Sequence, residues 1–307
     1  MDSAQPAARD TLPLVTVVIP TVNRPETAKA AIRSAIGQGG VQSRLLVSEN
    51  CSDARFEAAY AELFESLPGH ARVVRQPVRL PVEEHFRRML EQVDTAYVVL
   101  LADDDVMAPS FLARAVARAT DTGAGSVFGP YVTVRERIGR SITKDFDYTH
   151  RSAWLRALHF VCRRDDAFIY GLFRTEVLRR AMEEFRPLMV NGRRTLTRIA
   201  YAPLLACLLA APYAHLPGDA VWTSVADTEK SETYLSENKI GKLVILLVGE
   251  WILAARFLRL AHAHGGLRLS VTLAPVIGSM AVLHCAAFAL MACKRVVIGV
   301  AARMRRA

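Results

Sequence analysis

The chain has 307 residues, 51% of them hydrophobic, with 14 prolines and a net charge of +9, enough for a substantial core and an appended region. Five cysteines (Cys51, Cys162, Cys207, Cys285 and Cys293) form no C-x-x-C pair and are too sparse for a disulfide framework, which argues against structural zinc or bridges and for a reducing cytosol. The positive charge invites nucleic acid, an anionic membrane or phosphorylated substrates, but no zinc-finger, RNP or basic-zipper pattern supports nucleic acid.

Residues 1–12 carry polar and acidic side chains without an apolar core or cleavage site, so they read as a disordered lead-in rather than a secretory signal. "PLVTVVIP" is β-rich, and Asn23-Arg24-Pro25-Glu26 then supplies the polar residue, early proline and acid that open a helix. "RLLVSEN" reads as a strand, "ARFEAAYAELFESL" as an amphipathic helix and "ARVVRQ" as another short strand. In "PVEEHFRRMLEQV" the spacing of Val82, Phe86, Met89, Leu90 and Val93 predicts one apolar helical face, with His85 on the polar side. "AYVVLLA" is a continuous apolar strand of the kind buried on both faces of a parallel sheet, and "PSFLARAVARAT" closes the unit as a helix. Four β/α alternations within 120 residues predict a doubly wound, mostly parallel α/β sheet, whose ligands sit beyond the carboxyl ends of the strands. Further on, "GSVFGPYVTVRERIGRSITKDF" predicts a β-hairpin about Ile138-Gly139-Arg140. "DDAFIYGLFRTEVLRRAMEEF" predicts a strand, a glycine and a helix. "LTRIAYAPLLACLLAAPYAHLPG" predicts an apolar helix and a last strand.

The strand ends carry Thr21-Val22-Asn23, Ser48-Glu49-Asn50 and Asp103-Asp104-Asp105. Three adjacent carboxylates repel one another unless solvated or neutralised by a cation. At the end of a buried-type strand, with Glu49 and Asn50 ending another, they fit a hard divalent cation, Mg²⁺ or Mn²⁺, whose other positions go to water and substrate phosphate. There is no G-x-G-x-x-G after the first strand and no G-x-x-x-x-G-K-[ST], so phosphate must be held in some other way.

"TVVIPTVNRPE", "LLVSENCSD", "LPVEEHFRRML" and "LLADDDVMAPSFL", in that order, resemble a family 2 glycosyltransferase of the GT-A fold over the first 115 residues, with a looser similarity through "IYGLFRTEVL". The resemblance implies an inverting, metal-dependent transfer of a sugar from a nucleoside diphosphate, a UDP-sugar in the first instance, to a hydroxyl acceptor. It implies that Thr21 and neighbouring backbone cradle the nucleoside, that Pro20, Asn23, Arg24 and Asn50 also bind the nucleotide-sugar, that Glu49 accepts a hydrogen bond from the base, and that Asp103 lies by the ribose. Asp105, with Asp104 beside it, would hold Mn²⁺ or Mg²⁺ on the diphosphate, while His85 and Arg88 reach phosphate or sugar. Two departures stand out: Ser48-Glu49 replaces the usual Asp-Asp, and Pro81 replaces the glycine that often precedes the third helix.

Transfer also needs a carboxylate to take the acceptor's proton, and "NGRRTLTRIAYAPLL", where the family places an acid, contains none. Asp165, Asp166, Glu183 and Glu184 lie nearby, and Asp166 is favoured because it precedes the expected strand ending at Tyr170-Gly171. The missing acid keeps open a second reading, a noncatalytic nucleotide-sugar-binding or assembly subunit. Arg174 either meets phosphate or pairs with a surface acid.

The division expected is a lead-in (1–12), a glycosyltransferase domain (13–225, with a nucleotide-sugar half at 13–120 and an acceptor half at 121–225) and a helical C-terminal region (226–307). Residues 269–293 carry no formal charge, enough to cross a hydrocarbon layer of ~30 Å. Pro275, Gly278 and His284 suit instead a kinked or in-plane helix, or a helical hairpin packed on the catalytic domain. The last fourteen residues hold five basic side chains and no acid, predicting an anionic membrane surface at the cytoplasmic face. A glycan or lipid-linked acceptor in cell-surface polysaccharide synthesis fits that placement by analogy.

Overall fold

The computed structural model describes residues 14–135, 140–190, 192–196, 198–225 and 239–304. The lead-in 1–12 and the turn residues Ile138 and Gly139 lie outside them, as do the side chains of the basic end, 294–307.

The first half alternates as its apolar pattern requires. β1 (Val15–Thr21) leads to α1 (Pro25–Ile36), β2 (Ser43–Glu49), α2 (Glu57–Glu65), β3 (Arg72–Arg75), α3 (Val82–Glu91) and β4 (Tyr97–Leu100). β1 is buried almost throughout and pairs in parallel with β2, Val15 opposite Ser43, and with β4, Val15 opposite Tyr97. Buried on both faces, it has no polar alternation to show. α1 opens with Pro25 in its first turn and Glu26 beside it, where a missing N–H costs nothing and an acid meets the helix dipole.

A seven-stranded sheet runs β12-β6-β9-β4-β1-β2-β3, taking in β6 (Ser126–Phe128), β9 (Leu172–Arg174) and β12 (Tyr213–His215). β9 is antiparallel to both β4 and β6, and every other pairing is parallel. α4 (Phe111–Thr122), α5 (Ala153–Cys162), α6 (Thr175–Ala181) and α7 (Tyr201–Ala210) complete the layers. The hairpin forms from β7 (Tyr131–Arg135) and β8 (Arg140–Lys144), antiparallel with Tyr131 opposite Lys144.

Three features differ from the sequence expectation. The aspartate triplet leads not directly into a helix but into β5 (Asp105–Met107), which joins β13 (Trp222–Val225), β7 and β8 in a four-stranded sheet. A 3₁₀ turn, Ala167–Tyr170, replaces the strand expected before Gly171. α3 buries Met89, Leu90 and the following Val93 as expected, with Val82 and Phe86 half-buried against the core, but it buries His85 as well. A short pair, β10 (Leu188–Val190) with β11 (Arg193–Thr195), lies between α6 and α7.

α8 (Lys239–Met304) contains one non-helical residue, Gly266, at φ 63° and ψ −160°. The chain reverses there, because Glu250 meets His284 and Leu247 meets Cys285, pairs that a straight helix would hold far apart. The break falls at a glycine, for which positive φ carries no Cβ penalty, and not at Pro275. Leu253, Phe257, Leu260, Leu273 and Ile277 on the two arms are buried in the same core as β1 and β4. The outside of the hairpin exposes Trp251, Leu267, Val271, Val282, Leu283 and Leu290. Leu243–Leu290 is long and apolar enough, by length and composition alone, to cross a membrane.

Candidate active site

The carboxyl ends of β1, β2 and β4 bring three polar segments to one edge of the sheet. Between them opens a cleft of about 670 Å³ walled in part by Pro20, Thr21, Asn23, Arg24, Asn50, His85, Asp103 and Asp104. Its floor is pinned by hydrogen bonds. Thr21 Oγ1 and Tyr60 Oη lie 2.7 Å apart, and the Arg24 amide donates to the same phenol oxygen. Asn23, in the left-handed region at φ 58°, exchanges side-chain and backbone bonds with Asp53, and Arg79 donates to both Asn23 Oδ1 and Asp53 Oδ1. Asn50 mimics a backbone pairing: its Oδ1 accepts from the Leu80 amide at 2.9 Å while its Nδ2 donates to the Leu80 carbonyl at 3.0 Å. It therefore fixes the segment entering α3.

Three expected residues lie differently. Glu49 is buried and turns Oε1 to the Ser52 amide, outside the cleft wall. Arg88 is not on that wall either, since it pairs along α3 with Glu84 at 2.9 Å. His85 is not solvated. It is 3% exposed with Nε2 2.8 Å from Ser48 Oγ, and burial pushes its pKa down to about 4, so it faces the cleft as a neutral ring. Two cations on the wall, Arg55 and Arg79, escaped the sequence reading; Arg79, in the loop just before α3, was the detectable one. Arg174 is on the wall of neither cleft and donates to the Gly123 carbonyl.

The aspartates sit at the inner end. Arg24 reaches Asp104 Oδ2 at 2.9 Å and Asp103 Oδ1 at 3.4 Å. Asp103 Oδ2 and Asp105 Oδ1 are buried without a hydrogen-bond partner. Burial, first, and the neighbouring carboxylates push Asp105 up to about 8; burial also raises Asp103 to about 6, with Arg24 opposing. Two orphaned carboxylate oxygens beside a third carboxylate make a site that a cation would relieve. No group of three or more His, Cys, Asp or Glu side chains is arranged to hold a metal among the described residues, so a divalent ion here would need water and substrate oxygens to complete its shell.

Beyond the aspartates lies a second cleft of about 410 Å³, lined by Asp104, Asp105, Tyr131, Lys144, Asp166, Tyr170, Arg198 and Trp222 among others. Phe86, Asp104, Tyr170 and Leu196 belong to both clefts, so the two meet at this wall. Of the four acids considered as proton acceptors, Asp166 alone lines it. Asp165 is locked, accepting from Tyr131 Oη at 2.6 Å and from the Ala167 amide at 2.9 Å. Glu184 pairs with Arg259, and Glu183 is exposed away from both clefts. Because Ala167–Tyr170 is a 3₁₀ turn, Asp166 stands at its N-terminal edge with its carboxylate in solvent.

The parallel-rich sheet with polar residues gathered at its strand ends is that of the GT-A glycosyltransferases. The glycosyl transferase family 2 model matches residues 16–174, and the chain belongs to that family. No curated protein matches it in sequence. Among solved structures it is similar to S. aureus TarS 1–349 in complex with UDP-GlcNAc, at 14% identity and a TM-score of 0.56, covering 82% of this chain and 67% of that one. It is also similar to TarS 1–349 in complex with UDP, at 13% identity and a TM-score of 0.54, covering 93% and 91%. A longer TarS structure matches at 14% identity and a TM-score of 0.48; the match covers 83% of this chain but only 44% of that one.

Proposed function

We propose that this glycosyltransferase moves a sugar from a nucleoside diphosphate, a UDP-sugar, to the hydroxyl of a glycan or lipid-linked acceptor with inversion. The observation that carries the reading is the pair of clefts meeting at Asp104, with the orphaned oxygens of Asp103 and Asp105 at the junction. The nucleoside occupies the larger cleft against Thr21, Asn23 and Asn50, and Arg24, Arg55 and Arg79 supply positive charge to the diphosphate. The UDP bound in the TarS structure supports this choice of donor.

Asp105, with Asp103 or Asp104, would hold Mn²⁺ or Mg²⁺, and that ion would supply charge stabilisation to the departing diphosphate. Asp166 accepts the proton of the acceptor hydroxyl. The acceptor hydroxyl's oxygen then forms a bond to the anomeric carbon as the bond from that carbon to the diphosphate breaks, the electron pair leaving with the diphosphate. Asp166 on the wall of the second cleft offers a proton acceptor from outside the segment "NGRRTLTRIAYAPLL", whose lack of an acid is what the noncatalytic alternative rests on. The exposed apolar side of the hairpin supports attachment to a membrane surface, where a lipid-linked acceptor resides.

The test is turnover of a panel of UDP-sugars with and without Mn²⁺, comparing the wild type with Asp105→Asn. Metal-dependent turnover lost in the variant supports the reading. Metal-independent turnover, or none with any donor, overturns it.

A further inference from the structure

The hairpin is apolar nearly throughout, yet Glu250 is buried in it at 1% exposure. A buried carboxylate is costly unless it is paired, and this one is paired several times. Its Oε1 accepts from Arg164 Nη1 at 2.7 Å, its Oε2 from Arg198 Nη1 at 2.8 Å, and His284 Nδ1 from the opposite arm lies 3.1 Å away. The two guanidinium groups are themselves nearly buried, Arg164 lying over the Phe257 ring and Arg198 over the Phe288 ring.

The arginines come from two segments that wall the second cleft. Arg164 precedes Asp165-Asp166, and Arg198, held in the left-handed region at φ 63°, lines the cleft next to Ile199 and Ala200. Arg198 Nη1 also donates to the Leu246 carbonyl, one turn before Glu250. At Gly249 a Cβ would stand 3.3 Å from Leu188 Cδ1, so the close approach at that position is to β10, while Arg198 Nη1 at 4.0 Å would be in ordinary contact. One carboxylate thus ties the loop bearing Asp166 to the loop bearing Arg198.

We propose that Glu250 is a positioning residue for the transfer step: from the hairpin it fixes both loops of the second cleft, and so sets Asp166 and Arg198 against the donor. The proposal rests on the reading of that cleft as the acceptor side. It makes the hairpin part of the catalytic apparatus as well as a means of attachment. A role confined to holding the fold together predicts that loss of Glu250 loosens the core as a whole; a positioning role predicts a loss local to the two loops, with the donor cleft intact.

The experiment compares the full-length wild type with Glu250→Gln, which keeps the shape and removes the charge. UDP binding in the presence of Mn²⁺ is measured by calorimetry, amide exchange is measured peptide by peptide, and turnover is followed as hydrolysis of a UDP-sugar. The expected result is exchange about tenfold faster in peptides covering 163–170 and 194–201, and unchanged in those covering 15–24 and 45–52. UDP affinity and donor KM stay as in the wild type while kcat falls about tenfold. Exchange that rises throughout the core together with loss of UDP binding, or that does not change in the two loops, overturns the proposal. Should Glu250→Gln fail to fold, His284→Gln retains the carboxylate and both arginines and is expected to shift the same two peptides in the same direction; unchanged peptides there also overturn it. Failure of the wild type itself to bind UDP would instead strike the functional reading above.

Discussion

The ring of Tyr170 stacks on that of Trp222, with centroids 5.0 Å apart and planes at 23°. Tyr170 borders both clefts while Trp222 borders only the second, and Trp222 packs in turn on Tyr131 at 5.2 Å. The aromatic shelf therefore belongs to the second cleft and ends at the junction. Trp222→Ala is expected to destabilise the protein by about 3–5 kcal/mol and to cut transfer, with UDP affinity preserved. Denaturant unfolding and calorimetry measure the two effects, and Trp222→Phe should recover most of the stability.

Asp103 and Asp105 give the metal-free protein an uncommon pH dependence. Both carboxyls hold their protons more tightly when folded than at the ordinary value of 3.8, with Asp105 reaching about 8. The unfolded chain therefore binds fewer protons across that interval, and these two groups make stability fall as pH rises from about 4 to about 8. Thermal melts across the interval should show the decline, and Asp105→Asn should flatten its upper part. Were Mn²⁺ to bind there as proposed, it would displace the proton, so its stabilising effect is expected to grow towards pH 8.

His85 acts in the opposite sense. Its folded pKa of about 4 lies below the ordinary 6.5 because of burial, so the stability it contributes is complete above 6.5 and is lost as pH falls through that range towards 4. His85→Gln should remove this acid limb from the melting curves. UDP binding should show no inflection from this imidazole near neutrality.

Asp166→Asn tests the proton acceptor. The carboxylate is exposed and lies outside the donor cleft, so the expected outcome is a fall in kcat of about 10²–10⁴ with UDP affinity and melting temperature unchanged. The same substitution at Asp165 should instead destabilise the protein, because it disturbs the bonds from Tyr131 and the Ala167 amide.

Gly171 joins the 3₁₀ turn to β9, and a Cβ there would lie 2.8 Å from the Val127 carbonyl oxygen and 3.1 Å from that of Phe168. Its φ of −70° suits any residue, so the restriction is one of space alone. Gly171→Ala should cost about 1–3 kcal/mol, read by denaturant unfolding, and should displace Tyr170 from the junction.

The parts legible in the sequence were those governed by local pattern. Continuous apolar runs gave β1, β2 and β4, and the adjacent charges of Asp103, Asp104 and Asp105 singled out the junction. The second sheet was not legible: β5 has three residues and exists because Ser224, far along the chain, pairs with Asp105. The burial of His85 is not legible from the helical pattern of α3, because it rests on the contact of its Nε2 with Ser48 at the end of β2, a strand distant in sequence; Val82 and Phe86 line the same cleft beside it. The reversal at Gly266 rests on a single backbone conformation, marked in sequence only by the adjacent pair Gly265-Gly266. The grip of Glu250 on Arg164 and Arg198 joins three distant segments that no periodicity connects.

Because Leu253, Phe257, Leu273 and Ile277 complete the interior that β1 and β4 begin, the last third of the chain is no detachable handle. A gene shortened after residue 225 to ease preparation would strip the oily flanks of α5 and α7 and leave Arg164 and Arg198 without their shared counter-charge. The product to expect is a precipitating fragment rather than a trimmed enzyme.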